Sequence, residues 1–359
     1  MERNRFVHHW HASRVTFGAG SIARIADELE VLGVGRALVL STPPQADLAV
    51  RVADSLGQRA AGVFDQAVMH VPIETVREAR ERATALGADC ALAVGGGSTI
   101  GLAKAIALET GLPVVAVPTT LAGSEMTPIY GITTARLKTT GRDRRVLPRS
   151  VIYDPELLRT LPRAMTASSG LNAIAHAAEG LYAHDGSPIT DLLAEEGIRA
   201  TAKVLYALRD LPGGAEVPIE TMGEALYGAW LCGSVLGTVA MGLHHKICHT
   251  LGGTFNLSHA ETHAVMLPHT LAYNAGSAPR AMERVAHALA QPSAAQGVHA
   301  LLSDLGGPVS LRELGLPQAE LDRAADLAVQ SPYPNPRTLE RAAILAMLRR
   351  AWEGTPPEN

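Results

Sequence analysis

The chain has 359 residues, 47% hydrophobic and 18% charged, with a formal net charge of -4. That length suits two domains better than one core, and the composition excludes extended disorder. The charge gives no general attraction to nucleic acid or acidic lipid, so an anionic ligand has to be held by local positive groups.

The opening MERNRFVHHWHASRV lacks an apolar signal core, and no later run reaches the length of a membrane span. Next in chain order, RALVLST (36–42) and AAGVF (60–64) read as strands, IETVREARERATALG (73–87) as an amphipathic helix, and CALAV (90–94) and PVVAV (113–117) as two more strands. Strands alternating with helices imply parallel pairing in an α/β layer. From about Arg159 the pattern changes to long Ala/Leu-rich helical segments, which run to Trp352 without a strand. The expected architecture is therefore an α/β N-terminal nucleotide-binding domain with a parallel sheet over residues 1–158, followed by an all-α C-terminal domain over 159–359. The end, EGTPPEN, is expected to fray. Cys90, Cys232 and Cys248 lie in apolar segments without CxxC spacing, which suits a reducing cytosol and no disulfides.

ALAVGGGSTIGLAKAIAL is a buried strand, three glycines, a serine and a helix. Glycines let a diphosphate approach the backbone, and a helix start offers free N–H groups with positive partial charge. One reading places a cofactor pyrophosphate on Gly96, Gly97 and Ser98; the other is a tight βα turn with Ser98 as helix cap. The spacing is not GxGxxG. After the next strand comes PTTLAGSEMTPI (118–129), where Thr119 and Thr120 stand at a strand's carboxyl end, the place where open parallel sheets bind ligands. Ser124, in the same segment, joins them as a cofactor candidate. After RALVL the chain reads Ser41, Thr42, Pro43, with no carboxylate to repel a 2′-phosphate, so both NADH and NADPH are expected to serve.

In SSGLNAIAHAAEGLYA (168–183), Asn172 and His176 are four apart and share a helix face, as a pair of metal ligands would. A neutral amide, however, binds metals poorly. GLHHKICHTLGGTFNLSHAETHAVMLPH (242–269) carries six of the chain's 14 histidines: His244, His245, His249, His259, His263 and His269. His245 and His249 are again four apart. His244, His263 and His269 each have an ordinary packing or capping reading, while the whole cluster with Asn172 and His176 points to a functional site.

FGAGS (17–21), GGGS with its helix, PTT, VIYDPEL (151–157), GLNAIAHAAEG and HKICHTLGGTFNLSH together resemble the iron-containing alcohol dehydrogenase superfamily across nearly the whole chain. The resemblance implies the dehydroquinate synthase-like fold, an active site between the two domains, and metal ligands at Asn172, His176, His245 and His259. Three of those four match, and the anionic one, an aspartate in the family, is replaced by Asn172. Gly101 stands where the family shows Asp, and PTTLAGSE is shorter than the usual segment. With MHVP (69–72) and RDRRVLPRSVIYDPEL, these departures resemble the maleylacetate reductase branch, whose members reduce maleylacetate to 3-oxoadipate, typically as cytoplasmic homodimers. Lys138 aligns with a family lysine near the nicotinamide ribose, which implies a cofactor contact.

Hydride delivery to a carbonyl carbon leaves a full charge on one oxygen, which a metal stabilises as Lewis acid. Hydride addition to a C=C bond conjugated with a ketone spreads that charge as an enolate, which hydrogen-bond donors can support. The reading is thus a metal-independent NADH- or NADPH-dependent reductase with His245 and His249 as enolate stabiliser and proton donor, in either order. Asn172, His176 and His259 would line the substrate pocket. Lys246 and Lys104 are candidate cations for the two carboxylates. Arg142, Arg144 and Arg145 are further candidates whose ordinary reading, a solvated surface, is preferred. The alternatives are a metal-dependent alcohol or polyol dehydrogenase, a catalytically silent nucleotide-binding protein, and a metal-requiring lyase of the dehydroquinate synthase type.

Overall fold

The computed structural model describes residues 6–11, 13–135, 137–212, 215–330 and 333–358. They divide into an α/β unit, His11–Leu161, and a helical unit from Pro162 onward. The break lies beyond the expected residue 158 because the turn after Asp154 runs on, with Leu161 N–H donating to Leu158 O at 2.9 Å, before Pro162 opens the first long helix. The residues just before His11 join the helical unit, where the His8 ring shares a 3.1 Å hydrogen bond with Ser187 Oγ.

The strands are β1 (Arg14–Phe17), β2 (Ala37–Leu40), β3 (Ala60–Phe64), β4 (Cys90–Gly95), β5 (Val114–Pro118), β6 (Ile129–Thr134), β7 (Leu137–Arg142) and β8 (Ser150–Tyr153). Six of them form a parallel sheet in the order β1-β8-β5-β4-β2-β3. Both faces are covered by helices, so β2 and β4 are buried at every position and read as continuous apolar runs instead of alternating ones. The helices here are α1 (Ile25–Val31), α2 (Ala46–Leu56), α3 (Ile73–Ala85) and α4 (Gly97–Thr110). Leu29, Val39, Leu92, Val115 and Ile152 meet in the core beneath the sheet. Two motifs of the resemblance prove to be one clamp: Asp154 of VIYDPEL accepts the backbone N–H groups of Gly20 and Ile22, in and just after FGAGS, at 3.1 and 2.9 Å.

β6 and β7 form a separate antiparallel hairpin that the sequence pattern does not signal. Its loop opens on Ala135, which takes a positive φ of 49° without the Asn-Gly usual in such turns. Lys104, on α4, pins the hairpin's approach. It is fully buried, and its Nζ donates to Ser124 O, Thr127 O, Thr127 Oγ1 and Ile129 O at 2.6–2.9 Å. Burial pulls its pKa down to about 7, against the opposing pull of the Glu125 carboxylate. An ammonium with every proton engaged has none for a substrate, so the expected role of Lys104 as a carboxylate-binding cation is corrected to a structural one. Lys104→Met should lower unfolding free energy by about 3 kcal/mol in urea titration, because several buried oxygens lose their donor. A change below about 0.5 kcal/mol would mean the segment holds without it.

The helical unit comprises α5 (Arg163–Tyr182), α6 (Pro188–Asp210), α7 (Ile219–Thr238), α8 (Leu243–Phe255), α9 (His259–Asn274), α10 (Pro279–Ala288), α11 (Ala294–Asp304), α12 (Leu321–Val329) and α13 (Arg341–Glu353), with no strand among its described residues. α5 is buried on all sides from Thr166 to Leu181. Its Ala, Gly and Ser residues make this possible, since a helix without a polar face has to be surrounded. α6 starts sharply because Ser187 and Thr190 form a capping box with Pro188 in the first turn. No single helix among the described residues is long and apolar enough to cross a membrane. The three cysteines are buried and free. The expectation of a frayed end is corrected: Arg350 donates to Pro356 O and to Glu358 Oε1, each at 2.7 Å, and ties the tail back through residue 358.

Candidate active site

Asn172, His176 and Glu179 follow one another at i, i+4 and i+7, so α5 presents all three on one face. All are buried. Glu179, which motif reasoning passed over, organises the site. Its Oε1 accepts the backbone N–H groups of Gly242 and His244 at 3.1 and 3.0 Å, and its Oε2 accepts that of His245 at 3.2 Å and the His245 ring at Nδ1. A carboxylate thus caps the N-terminus of α8, where the helix dipole favours negative charge. Burial works to raise the Glu179 pKa, but the His245 ring and the α8 donors outweigh it and hold the carboxyl below its usual range. With Nδ1–H committed to Glu179, His245 turns Nε2 inward, where it is buried without a partner.

The other rings gather around it. The His245 centroid lies 5.1 Å from that of His176, 6.0 Å from His249 and 5.0 Å from His263. His259 lies 4.4 Å from His263 and stacks at 6.4 Å on His249. A hydrogen-bond chain behind the cluster sets its tautomers. Thr270 Oγ1 donates back to the carbonyls of Met266 and Leu267, so its oxygen accepts His244 Nδ1–H at 3.0 Å. His244 Nε2 is then bare and accepts His263 Nδ1–H at 2.9 Å. The chain ends on backbone carbonyls, so it orients rings and carries no proton away. Burial pushes the His244 pKa down to about 3 despite Glu179, and burial with the neighbouring imidazoles pushes His176 and His263 well below the ordinary range. His269 stands apart, near His299 and Arg350, and packs as an ordinary core residue.

The donors fit poorly with the divalent ion that the resemblance implies. Positions 172, 176, 245 and 259 offer an amide and three imidazoles, and the adjacent carboxylate, Glu179, is already engaged by three N–H groups and a ring. Nothing in that set supplies a compensating negative charge. The grouping whose ligand atoms come within 4.8 Å of one another is instead His244, Cys248 and His263. There a proton already lies between the two rings, and burial raises the Cys248 thiol far from ionisation. Asn172 Oδ1 and His176 Nδ1, like His245 Nε2, are buried without hydrogen-bond partners.

In the α/β unit, Gly96 precedes α4 and cannot cap it by a side chain; Ser98 lies within the first turn and is not the cap. The first N–H groups of α4 stay available for a diphosphate. Gly96 is required because a Cβ there would come within 2.8 Å of Thr120 Cγ2. Thr119 is buried, and its hydroxyl accepts from Gln45 Nε2 at 2.9 Å. Ser124 opens the short turn whose carbonyls hold Lys104. Arg142, Arg144 and Arg145 lie on the exposed surface, Arg145 paired with Asp143. Lys246 projects over the Tyr333 ring at 6.0 Å. Gly101 also acquires a reason: a Cβ there would meet Val71 Cγ2 at 2.8 Å, so its aspartate replacement and MHVP go together.

Family models for iron-containing alcohol dehydrogenases match residues 12–155, and for the C-terminal part of that family residues 166–352. A maleylacetate reductase of Burkholderia cepacia is 59% identical over 354 residues, covering 99% of both chains. The crystal structure of maleylacetate reductase from Agrobacterium tumefaciens superposes with a TM-score of 0.93 at 49% identity, over 99% of this chain and 100% of that one. The same enzyme from Rhizobium sp. strain MTP-10005 gives 0.92 at 49%, with the same coverage.

Proposed function

The chain belongs to the iron-containing alcohol dehydrogenase family and is an oxidoreductase, and from that footing we propose that it reduces the C=C bond of maleylacetate to 3-oxoadipate with NADH or NADPH, without a metal. This is a step of aromatic-ring catabolism, carried out by a cytoplasmic homodimer. The observation that carries the reading is the charge balance of the helical unit's pocket: imidazoles and an amide where the family's ligand set includes an aspartate.

The residues at the turn before α4, Gly96, Gly97 and Ser98, would hold the cofactor's diphosphate, with Thr120 and Ser124 beside them. The reduced nicotinamide, when bound, supplies a hydride to the substrate carbon β to the ketone. His249 donates a hydrogen bond to the oxygen of the resulting enolate. His245 holds a proton on Nε2 while Glu179 stabilises the imidazolium through Nδ1, and it passes that proton to the carbon α to the ketone. The ring returns to its neutral form with Nδ1–H still on Glu179. Asn172, His176 and His259 line the pocket, and Asn172 offers an amide where an aspartate would repel a dianion. Lys246, four residues before Thr250 on α8, would supply a cation for one of the substrate's carboxylates.

Cofactor oxidation with freshly prepared maleylacetate, before and after dialysis against EDTA, tests the reading. Activity should be unchanged by the chelator, and purified protein should carry well under one metal per subunit. Asn172→Asp should weaken maleylacetate turnover about tenfold or more, by placing a charge beside a dianion, and should raise metal uptake by completing the Asp-His-His-His set. Activity that disappears with EDTA and returns with iron or zinc would favour the metal-dependent alcohol dehydrogenase instead.

A further inference from the structure

A helix start leaves four N–H groups without an intrahelical acceptor. In α8, which carries His245, Glu179 accepts those of Gly242, His244 and His245. The remaining one, from Leu243, donates to Asn335 Oδ1 at 3.3 Å. The first bond within the helix follows, from Lys246 N–H to Gly242 O at 3.1 Å. Asn335 thus completes the cap that Glu179 begins.

Asn335 lies in the irregular segment before α13, between Pro334 and Pro336. Each proline fixes its own φ and biases the residue ahead of it toward extended backbone, so the amide is presented without the freedom of an ordinary loop. Its remaining hydrogen bonds hold it in place. Asn335 Oδ1 also accepts from Asn274 Nδ2 at 3.2 Å, and Asn335 Nδ2 donates to Asn274 Oδ1 at 2.8 Å and to Arg337 O at 2.7 Å. Asn274, at the end of α9, is buried, and its amide has Asn335 as reciprocal partner. The residues that follow bind α9 as well: Arg337 lies over the Tyr273 ring at 4.3 Å, and Tyr273 donates its hydroxyl to Thr338 O at 2.7 Å. Packing at the helix start is close, since a Cβ on Gly242 would come within 3.1 Å of Asn335 Oδ1 and of Pro334 O, and within 3.2 Å of Glu179 Oε1. The carboxylate that holds the His245 ring and the Asn335 amide therefore grip the same short stretch of backbone.

We propose that Asn335, held by Asn274, is a positioning residue for His245: it fixes the start of α8 so that the ring stays on Glu179 and Nε2 stays turned inward. This role rests on the function given to His245 above. Asn335 acts through the backbone and the ring, not by contact with substrate.

Asn335→Ala should lower kcat for maleylacetate about tenfold, the scale of one hydrogen bond at a helix start, and Asn274→Ala should lower it less, because Asn335 keeps the Leu243 N–H. Since Asn274 acts only through Asn335, the double variant should match Asn335→Ala within about twofold and not multiply the two losses. The KM values for NADH and NADPH should stay within about twofold of wild type. The His245 Nδ1–H proton, bonded to a carboxylate, should give a downfield NMR resonance identified by its loss in His245→Ala, and that resonance should shift or broaden in both single variants. Wild-type kcat in Asn335→Ala, multiplied losses in the double variant, an unmoved resonance, or a cofactor KM raised as much as kcat falls would each overturn the proposal. Should Asn335→Ala fail to fold, Asn274→Ala carries the same kinetic and NMR readouts. If wild-type protein turns over no maleylacetate, the substrate reading fails by itself, and the resonance in ligand-free protein still decides whether Asn335 positions the ring.

Discussion

Glu179→Gln is expected to lower kcat for maleylacetate reduction by about 10³, since losing the carboxylate that orients a catalytic imidazole costs up to about 10⁴. The amide keeps the size of the side chain but removes its charge. The His245 ring then loses the anion that orients it, while the KM for NADH should stay within about twofold. The cost to folding should be smaller, about 1–2 kcal/mol by urea titration, because the amide oxygen can still accept from the N–H groups opening α8. Wild-type kcat would leave Glu179 as a helix cap and nothing more.

His245→Ala and His249→Ala should each lower kcat by about 10²–10⁴, the range for losing a general acid or an enolate-supporting donor. NADH affinity should move far less, since the residues expected to hold the cofactor lie in the other unit. Turnover close to wild type in both would return these histidines to core packing around the buried Glu179.

Much of this molecule is legible in order along the chain. β2, β3, β4 and β5 fall within a residue or two of the expected strands; β2, β4 and β5 are buried at every position, and such a strand needs a continuous apolar run whatever surrounds it. The change to helix after the sheet is equally plain, because the Ala-rich spacing is local. The β6–β7 hairpin is not legible: its turn lacks a glycine signal, and it is anchored by Lys104, a residue that in sequence alone resembles any cation near a glycine turn. Only the four oxygens converging on its Nζ distinguish a structural lysine from a binding one.

The sequence by itself determined the fold class, the parallel sheet followed by helices, and the inventory of the site, because apolar periodicity and residue identity are properties of short segments. Asn172 in place of an acid is visible there, as are the six histidines between 242 and 269. The tertiary structure alone decided what each of them does. Glu179 comes from α5, and four of the donor groups it accepts from come from Gly242, His244 and His245 at the start of α8, 63 to 66 positions later. His244 and His263 become an orienting pair only when α8 and α9 pack. Hydrogen-bond partners, desolvation and tautomers depend on which distant backbone arrives beside a side chain, and that is fixed by packing of whole elements, which no local pattern records.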